Sequence, residues 1–141
     1  MREQILKDYF LNKATVDVLA ADLKDSQNKK GFDTTTVTIE QIGESGEFEI
    51  LIDYLIRLCD AAINDKLTMT DLNTIAFALI ASEHFTWDSN SRDGKRVETV
   101  IFDWDNPEIG FDLTTDNVIL WKDYLLTGIY KFNNDLLKRK K

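Results

Sequence analysis

Apolar side chains recur every three or four residues along much of this chain, and that period is typical of helices with one buried face. In the first such segment, Ile5, Leu6, Tyr9 and Phe10 share one side. The same spacing predicts helices over residues 2–11, 16–23, 51–63 and 71–84, and another from about residue 115 onward. The third and fourth of these are expected to form a buried helical hairpin.

Polar residues indicate where several of these helices begin and end. Thr15 and Thr70 precede two of the periodic segments, and a threonine there can accept a hydrogen bond from the first turn. The polar segment from Ser26 to Gly31 should stop the second helix. Gly128 either ends the last helix or is followed by its resumption over residues 129–137.

Two segments have features of strands. Thr34 to Ile42 is rich in β-branched residues, which lose rotamer freedom in helices. The turn signal Gly43-Glu44-Ser45-Gly46 follows, and Phe48 to Ile50 is predicted to return as the second strand of a hairpin. Val97 to Trp104 alternates in polarity, which fits a strand or, nearly as well, a half-buried helix. Asp105-Asn106-Pro107 should end that element.

The bulk composition is that of a globular protein. The chain has 141 residues, of which 43% are apolar and 30% charged, and only one is proline. We therefore predict a mainly α fold, a single compact helical domain of about five helices with a small β-hairpin or short strands. This domain should span residues 1–141, with the basic tail 138–141 either a solvated helix end or disordered.

Acidic residues are concentrated in two stretches. The segments from Gly31 to Ile56 and from Val97 to Trp121 each hold six acids and no Lys or Arg. The formal net charge is −8, and removing the four cations of the tail from that total leaves −12. Such a surface repels phosphate backbones and attracts basic proteins. The sequence therefore predicts a basic protein partner and no nucleic acid.

The residue types needed for catalysis or cofactor binding are scarce. Cys59 is the single cysteine, which rules out an internal disulfide, and its place in a predicted helix favours core packing. His84 is the only histidine, and at the end of an apolar helix it fits capping or packing better than a catalytic triad or a metal site. No glycine-rich phosphate loop is present. We expect no enzymatic activity, no metal and no cofactor.

Targeting signals are also missing from the sequence. The first residues begin directly in an amphipathic pattern, and no run approaches the roughly eighteen apolar residues needed to cross a bilayer. The sequence therefore predicts a cytoplasmic protein with no membrane association, and it leaves the oligomeric state open.

Acids and aromatic residues stand side by side after Val97. Asp103, Asp105 and Glu108 lie close to Trp104, and on a strand the two aspartates would share one face. This cluster fits a solvated rim around a packed tryptophan, a partner-binding surface, or a carboxylate pair for acid–base chemistry. On the second interpretation, the candidate partner-binding residues are Trp87, Asp103, Trp104, Asp105, Glu108 and Asp112.

Part of the chain resembles small acidic immunity proteins of bacterial polymorphic and contact-dependent toxin systems. The similarity rests on the run from Ile101 to Ile109, on Leu113-Thr114 and on Trp121-Lys122-Asp123-Tyr124-Leu125. The helical segment from Leu58-Cys59-Asp60 to Phe85 contributes as well. The resemblance implies a cytoplasmic protein that binds and blocks the active site of a cognate, often basic, nuclease toxin. It carries over no specific functional residue.

The sequence thus leads to three hypotheses. The first is an acidic protein-binding module, an immunity-type inhibitor that binds a basic cognate toxin or enzyme. The second is a structural or regulatory subunit of a bacterial complex without catalytic activity, in which the acids would be scattered over the surface. The third is a small hydrolase, which requires a concave pocket that holds His84 and two carboxylates.

Overall fold

A computed structural model describes residues 1–24, 26–30, 34–42 and 47–132, and it confirms the mainly α fold class. Within these residues there are six helices rather than about five. They are α1 (Glu3–Phe10), α2 (Val16–Leu23), α3 (Ile52–Ile63), α4 (Met69–Ala81), α5 (Arg92–Asp105) and α6 (Thr115–Thr127). Four short strands accompany them, namely β1 (Gln27–Lys30), β2 (Thr34–Val37), β3 (Phe48–Glu49) and β4 (Phe85–Thr86).

Side-chain caps fix the starts of four of the described helices. The capping residues of α2, α4, α5 and α6 are Thr15, Thr68, Ser91 and Thr114. The prediction for Thr15 is confirmed, whereas Thr70 as the cap of α4 is wrong. Thr68 and Asp71 instead form a capping box with reciprocal bonds of 3.0 and 2.9 Å, so α4 begins one residue before Thr70.

The core lies where α3 and α6 pack together and α4 packs against α5. Trp104 of α5 and Trp121 of α6 are both fully buried at its centre, with their ring planes 83° apart. Both helices of the predicted hairpin, α3 and α4, contribute buried faces as expected. Each of them nevertheless packs more extensively against a later helix than against the other.

The strand pairing differs from the predicted hairpin. β2 lies within the predicted β segment, but it pairs antiparallel with β1, whose polar residues gave no strand signal. β3 pairs in parallel with β4, so that Phe48 stands opposite Phe85. The predicted pairing of β2 with residues 48–50 is therefore wrong, and the turn at 43–46 lies outside the described residues.

Residues 97–104 are helical, so the strand interpretation of this segment is wrong and its helical alternative is confirmed. Residues 87–91 form the loop before this helix, and α5 begins at Arg92. Its first turn lies against that loop so closely that a Cβ on Gly94 would stand 1.7 Å from the Asp88 carbonyl oxygen. Only glycine fits at that contact. The predicted break after Asp105 is confirmed.

Gly128 ends α6 with a φ of 80°, and the chain then turns back along the helix. We call residues 129–132 the strap. Tyr130 packs against Tyr124, and Phe132 packs against Trp121 with a centroid distance of 4.8 Å. The resumed helix predicted for 129–137 is therefore absent up to residue 132, and the basic tail 138–141 lies outside the described residues. Among the described helices, none has both the length and the apolar character needed to span a membrane.

Candidate partner-binding surface

The predicted site residues on α5 project from different sides of the helix. Successive residues of a helix are rotated by about 100°, so Asp103 and Asp105 project to nearly opposite sides rather than to one face. The inward side of α5 holds Val97, Val100, Ile101 and Trp104. The assignment of these aspartates to one shared surface was therefore wrong, because it depended on the two-residue period of a strand.

Trp104 belongs to the core. Its side chain has no exposed surface, and it packs against Trp121 with a centroid distance of 6.3 Å. A side chain in this position cannot contact a partner without unfolding of α5. The prediction that Trp104 anchors a partner is thus corrected, whereas the prediction that Trp121 packs in the core is confirmed.

Asp103 connects α5 to α6 and to the strap. Its Oδ2 atom accepts a hydrogen bond of 2.9 Å from the indole nitrogen of Trp121 and one of 2.5 Å from the hydroxyl of Tyr130. Burial raises the pKa of the Tyr130 hydroxyl well above its usual range, and its bond to Asp103 adds to this effect. Tyr130 therefore stays a protonated donor. Asp103 has a structural role that its position in an acidic run did not reveal.

The opposite side of α5 carries acids around an exposed aromatic ring. Glu98, Phe102 and Asp105 are spaced four and three residues apart, so they form one helical face. Phe102 is 43% exposed, and Glu108 follows in the exposed loop after the helix. We call the surface formed by Trp87, Glu98, Phe102, Asp105 and Glu108 the acidic stripe.

Trp87 joins this surface through a hydrogen bond. Its indole nitrogen donates to Glu98 Oε1 over 3.2 Å, and the hydroxyl of Ser89 donates to the same oxygen over 2.6 Å. The ring of Trp87 is half-buried and packs at the edge of the core, so part of it remains available for contact. Of the predicted site residues, Trp87, Asp105 and Glu108 therefore lie on the stripe.

The negative charges at the C-terminal end of α5 repel one another. Asp103 and Asp105 occupy the last turn, which holds no base, and the carbonyl end of a helix already carries partial negative charge. Partial burial raises the pKa of Asp105, and the nearby Glu108 raises it further. Between residues 67 and 121 the bases are Arg92, Lys95 and Arg96, all near the start of α5. This end of the helix is thus electrostatically unfavourable in the isolated chain.

An apolar groove of about 430 Å³ lies next to this end of the molecule, between the first turns of α4 and the loop that leads into α6. Asn73 borders it, and its side-chain amide donates a 2.9 Å hydrogen bond to the Trp104 carbonyl oxygen. The exposed Phe77 stands one turn later on α4, so it faces the same side as Asn73. The groove is lined by Met69, Thr70, Asn73, Pro107, Asp112, Leu113 and Thr114. The last predicted site residue, Asp112, is therefore beside the groove rather than on the stripe.

Sequence reasoning missed Glu98 and Phe102 as site residues. The i, i+4, i+7 spacing of Glu98, Phe102 and Asp105 was a usable signal, but only once the segment is assigned as a helix. Deciding between strand and helix was thus the step on which the site prediction depended.

His84, which the hydrolase hypothesis requires in a pocket with two carboxylates, lies elsewhere in the described part of the chain. His84 is buried beside Lys7, whose amino group lies 3.2 Å from Nε2, and its ring stacks on Phe48. It lines neither the groove nor the acidic cleft of about 530 Å³ between β3 and the start of α5. Within the described residues, no group of three or more His, Cys, Asp or Glu side chains could hold a metal ion. Cys59 is fully buried, as predicted, and burial raises the pKa of its thiol.

Comparisons with known proteins identified no relative of this chain. No family model, curated protein or solved structure matches the chain. The resemblance to immunity proteins therefore remains a hypothesis, and the functional argument rests on the geometry of the surface.

Proposed function

We propose that this chain is an acidic protein-binding module, an immunity-type inhibitor that binds a basic cognate toxin or enzyme in the cytoplasm. The acidic stripe is its contact surface. Phe102 and the accessible part of Trp87 supply apolar contact area, and Glu98, Asp105 and Glu108 supply the charge. This assignment keeps the partner class expected from the sequence but replaces Trp104 and Asp103 with Phe102 and Glu98.

The proposal rests mainly on one observation: Asp103 and Asp105 lie in the last turn of α5, where the helix dipole disfavours negative charge. Partial burial raises the pKa of Asp105, and the nearby Glu108 raises it further. Local arrangements that cost stability are expected mainly where function requires them. A basic side chain docked on Asp105 and Glu108 would neutralise their mutual repulsion. Binding of a basic partner therefore relieves an electrostatic cost that the free protein retains.

The same surface suits rapid and specific binding. The stripe is acidic over Glu98, Asp105 and Glu108, with Lys95 on the same helical face near the start of α5. Its excess of negative charge steers a positively charged partner and raises the rate of association. An exposed aromatic ring such as Phe102 then provides buried contact area, which slows dissociation.

A structural or regulatory subunit is the alternative that the surface also permits. That hypothesis predicts scattered acids, and Asp103 and Asp112 do lie away from the stripe. Glu98, Asp105 and Glu108 are nevertheless gathered along one side, which favours a dedicated contact surface. The hydrolase hypothesis required His84 among carboxylates, and His84 instead contacts Lys7 and Phe48.

The proposal is tested by capturing partners with tagged protein from extracts of the source organism. The stripe variant is Asp105→Lys/Glu108→Lys, and the matched control is Asp17→Lys/Glu83→Lys, which reverses two exposed acids, one in α2 and one after α4. Capture is compared at low salt and at about 0.5 M salt, where interactions between exposed charges are strongly screened.

We expect one basic protein to be captured in stoichiometric amount by the wild type and the control, but not by the stripe variant. Retention at the higher salt would indicate that part of the interface is desolvated. Equal capture by the two variants would show that the stripe is not the contact surface. Failure of the wild type to capture any basic protein would contradict the inhibitor function itself.

A further inference from the structure

The apolar groove at the end of α5 continues along helix α4 to an exposed aromatic ring. Met69, Asn73 and Phe77 are spaced four residues apart, so their side chains form one ridge along α4. Met69 and Asn73 line the groove, and Phe77 follows one turn later with 39% of its surface exposed. The groove and the exposed ring are therefore parts of one continuous surface.

Two hydrogen bonds place this ridge beside the acidic stripe. Asn73, near the start of α4, donates to the carbonyl oxygen of Trp104 at the end of α5. Trp87, shortly after the end of α4, donates to Glu98 in the middle of α5. The start of α4 therefore lies at the end of α5, and these two packed helices run antiparallel.

The antiparallel arrangement brings two exposed rings to the same level of the molecule. Phe77 is one turn after Asn73 on α4, and Phe102 lies in the turn of α5 that precedes Trp104. Neighbouring helices thus each present an aromatic ring, one on the ridge and one on the acidic stripe. Exposed aromatic area of this kind is typical of protein-binding surfaces.

The segments that form this surface hold acids and no bases. Residues 69–77 and 105–114 contain four acids and no Lys or Arg. Glu108 is exposed and directly follows Pro107, which lines the groove. A ligand that covers the groove and the rings is therefore matched in charge when bases flank its apolar side chains.

The spacing along the ridge suits a helical ligand. Met69 and Phe77 are eight residues apart on α4, which corresponds to about 12 Å along the helix axis. Apolar side chains two turns apart on a second helix are separated by about 11 Å. An amphipathic helix can therefore place one apolar side chain in the groove and another beside Phe77, as in other helix-in-groove complexes.

We propose that the groove and Phe77 form the apolar half of the contact surface and bind an amphipathic helix of the basic partner. One apolar side chain of that helix enters the groove, and a second, two turns later, packs against Phe77 and Phe102. Bases on the same helix pair with Asp105 and Glu108. This inference rests on the proposed function, since it describes how the basic partner is held.

The proposal is tested with two synthetic peptides and isotope-labelled protein. The first peptide is a lysine-rich helix with two leucines two turns apart, and the second carries glutamine in place of both leucines. NMR follows binding through the backbone amide shifts of Phe77 and Leu113, with Thr127 as the reference. Thr127 ends α6, about 20 Å from Thr114, which borders the groove.

Two variants and two matched controls sharpen the test. Phe77→Ser removes the exposed ring, and Glu108→Lys reverses the exposed charge. Leu126→Ser and Asp17→Lys make the same kinds of change at exposed positions on α6 and α2. Because both peptides carry the same lysines, the ratio of their affinities isolates the apolar contribution.

We expect the leucine peptide to bind several-fold more tightly than the glutamine peptide and to shift Phe77 and Leu113 much more than Thr127. Phe77→Ser should remove most of this preference, Glu108→Lys should weaken both peptides, and the controls should match the wild type. Equal affinities for the two peptides, or a preference that Phe77→Ser leaves unchanged, would overturn the proposal.

A second copy of the chain is the other candidate occupant of this surface. A wild-type dimer that Phe77→Ser converts to a monomer in analytical ultracentrifugation would therefore also overturn the proposal. The peptide measurement needs no cognate partner, whereas the inhibitor function is tested by capture of a basic protein. Failure of the docking surface and failure of the inhibitor function are thus distinguishable.

Discussion

The two sides of α5 show how neighbouring acids acquire different roles. Asp103 faces α6, where it accepts hydrogen bonds from Trp121 and Tyr130. Asp105, two residues later, is half-buried on the other side of the helix, where burial and the nearby Glu108 raise the pKa of its carboxyl. The helical rotation separates a structural acid from a candidate binding acid. Charge density along a sequence therefore identifies a region, and only the helix geometry identifies which of its residues a partner can contact.

The two sides of α5 should differ most in the stability that is lost when an aromatic side chain is truncated. Replacing Trp104 with Ala should lower the free energy of unfolding by about 3–5 kcal/mol, because it opens a cavity in the core. Replacing Phe102 with Ala should change it by less than about 1 kcal/mol, because that ring is partly exposed. Urea denaturation of both variants measures the difference. Similar losses for Trp104→Ala and Phe102→Ala would contradict the assigned orientation of α5.

A smaller loss is expected from the hydrogen bonds on the inner side. Asp103→Ala removes the acceptor of the buried Trp121 indole nitrogen, and leaving such a donor without a partner costs about 1–3 kcal/mol. Asp103→Asn keeps an oxygen acceptor and should lose less. The same urea titrations measure both effects. A wild-type stability for Asp103→Ala would show that the contact with α6 and the strap contributes little.

The local parts of the fold were predictable, whereas the long-range parts were not. The helices, the Thr15 cap and the start of α6 near residue 115 depend on residues within one or two turns, which the sequence displays directly. The end of α6 at Gly128 was one of two alternatives that the sequence left open. The parallel pairing of Phe48 with Phe85 joins segments far apart in the chain, and no local pattern specifies it. Polar β1 lacked any strand signal for the same reason, since its partner strand supplies the ordering contacts.

The candidate site was predictable as a region but not as a set of residues. The acids and aromatics after Val97 drew attention to this region, and Asp105, Glu108 and Trp87 belong to the proposed contact surface. Trp104 was misplaced because an eight-residue segment of mixed polarity is consistent with both periods. The helix instead buries Trp104 and exposes Phe102, which reverses their expected roles.

The most direct test combines stability and binding in Asp105→Asn/Glu108→Gln. Because the folded-state pKa of Asp105 is raised, its ionised form opposes folding at neutral pH, and this cost disappears as the pH falls and the carboxyl is protonated. The variant should therefore melt at a higher temperature than the wild type at pH 7, lose that advantage in acid, and fail to capture the basic partner. A lower melting temperature at pH 7 together with unchanged capture would contradict the account.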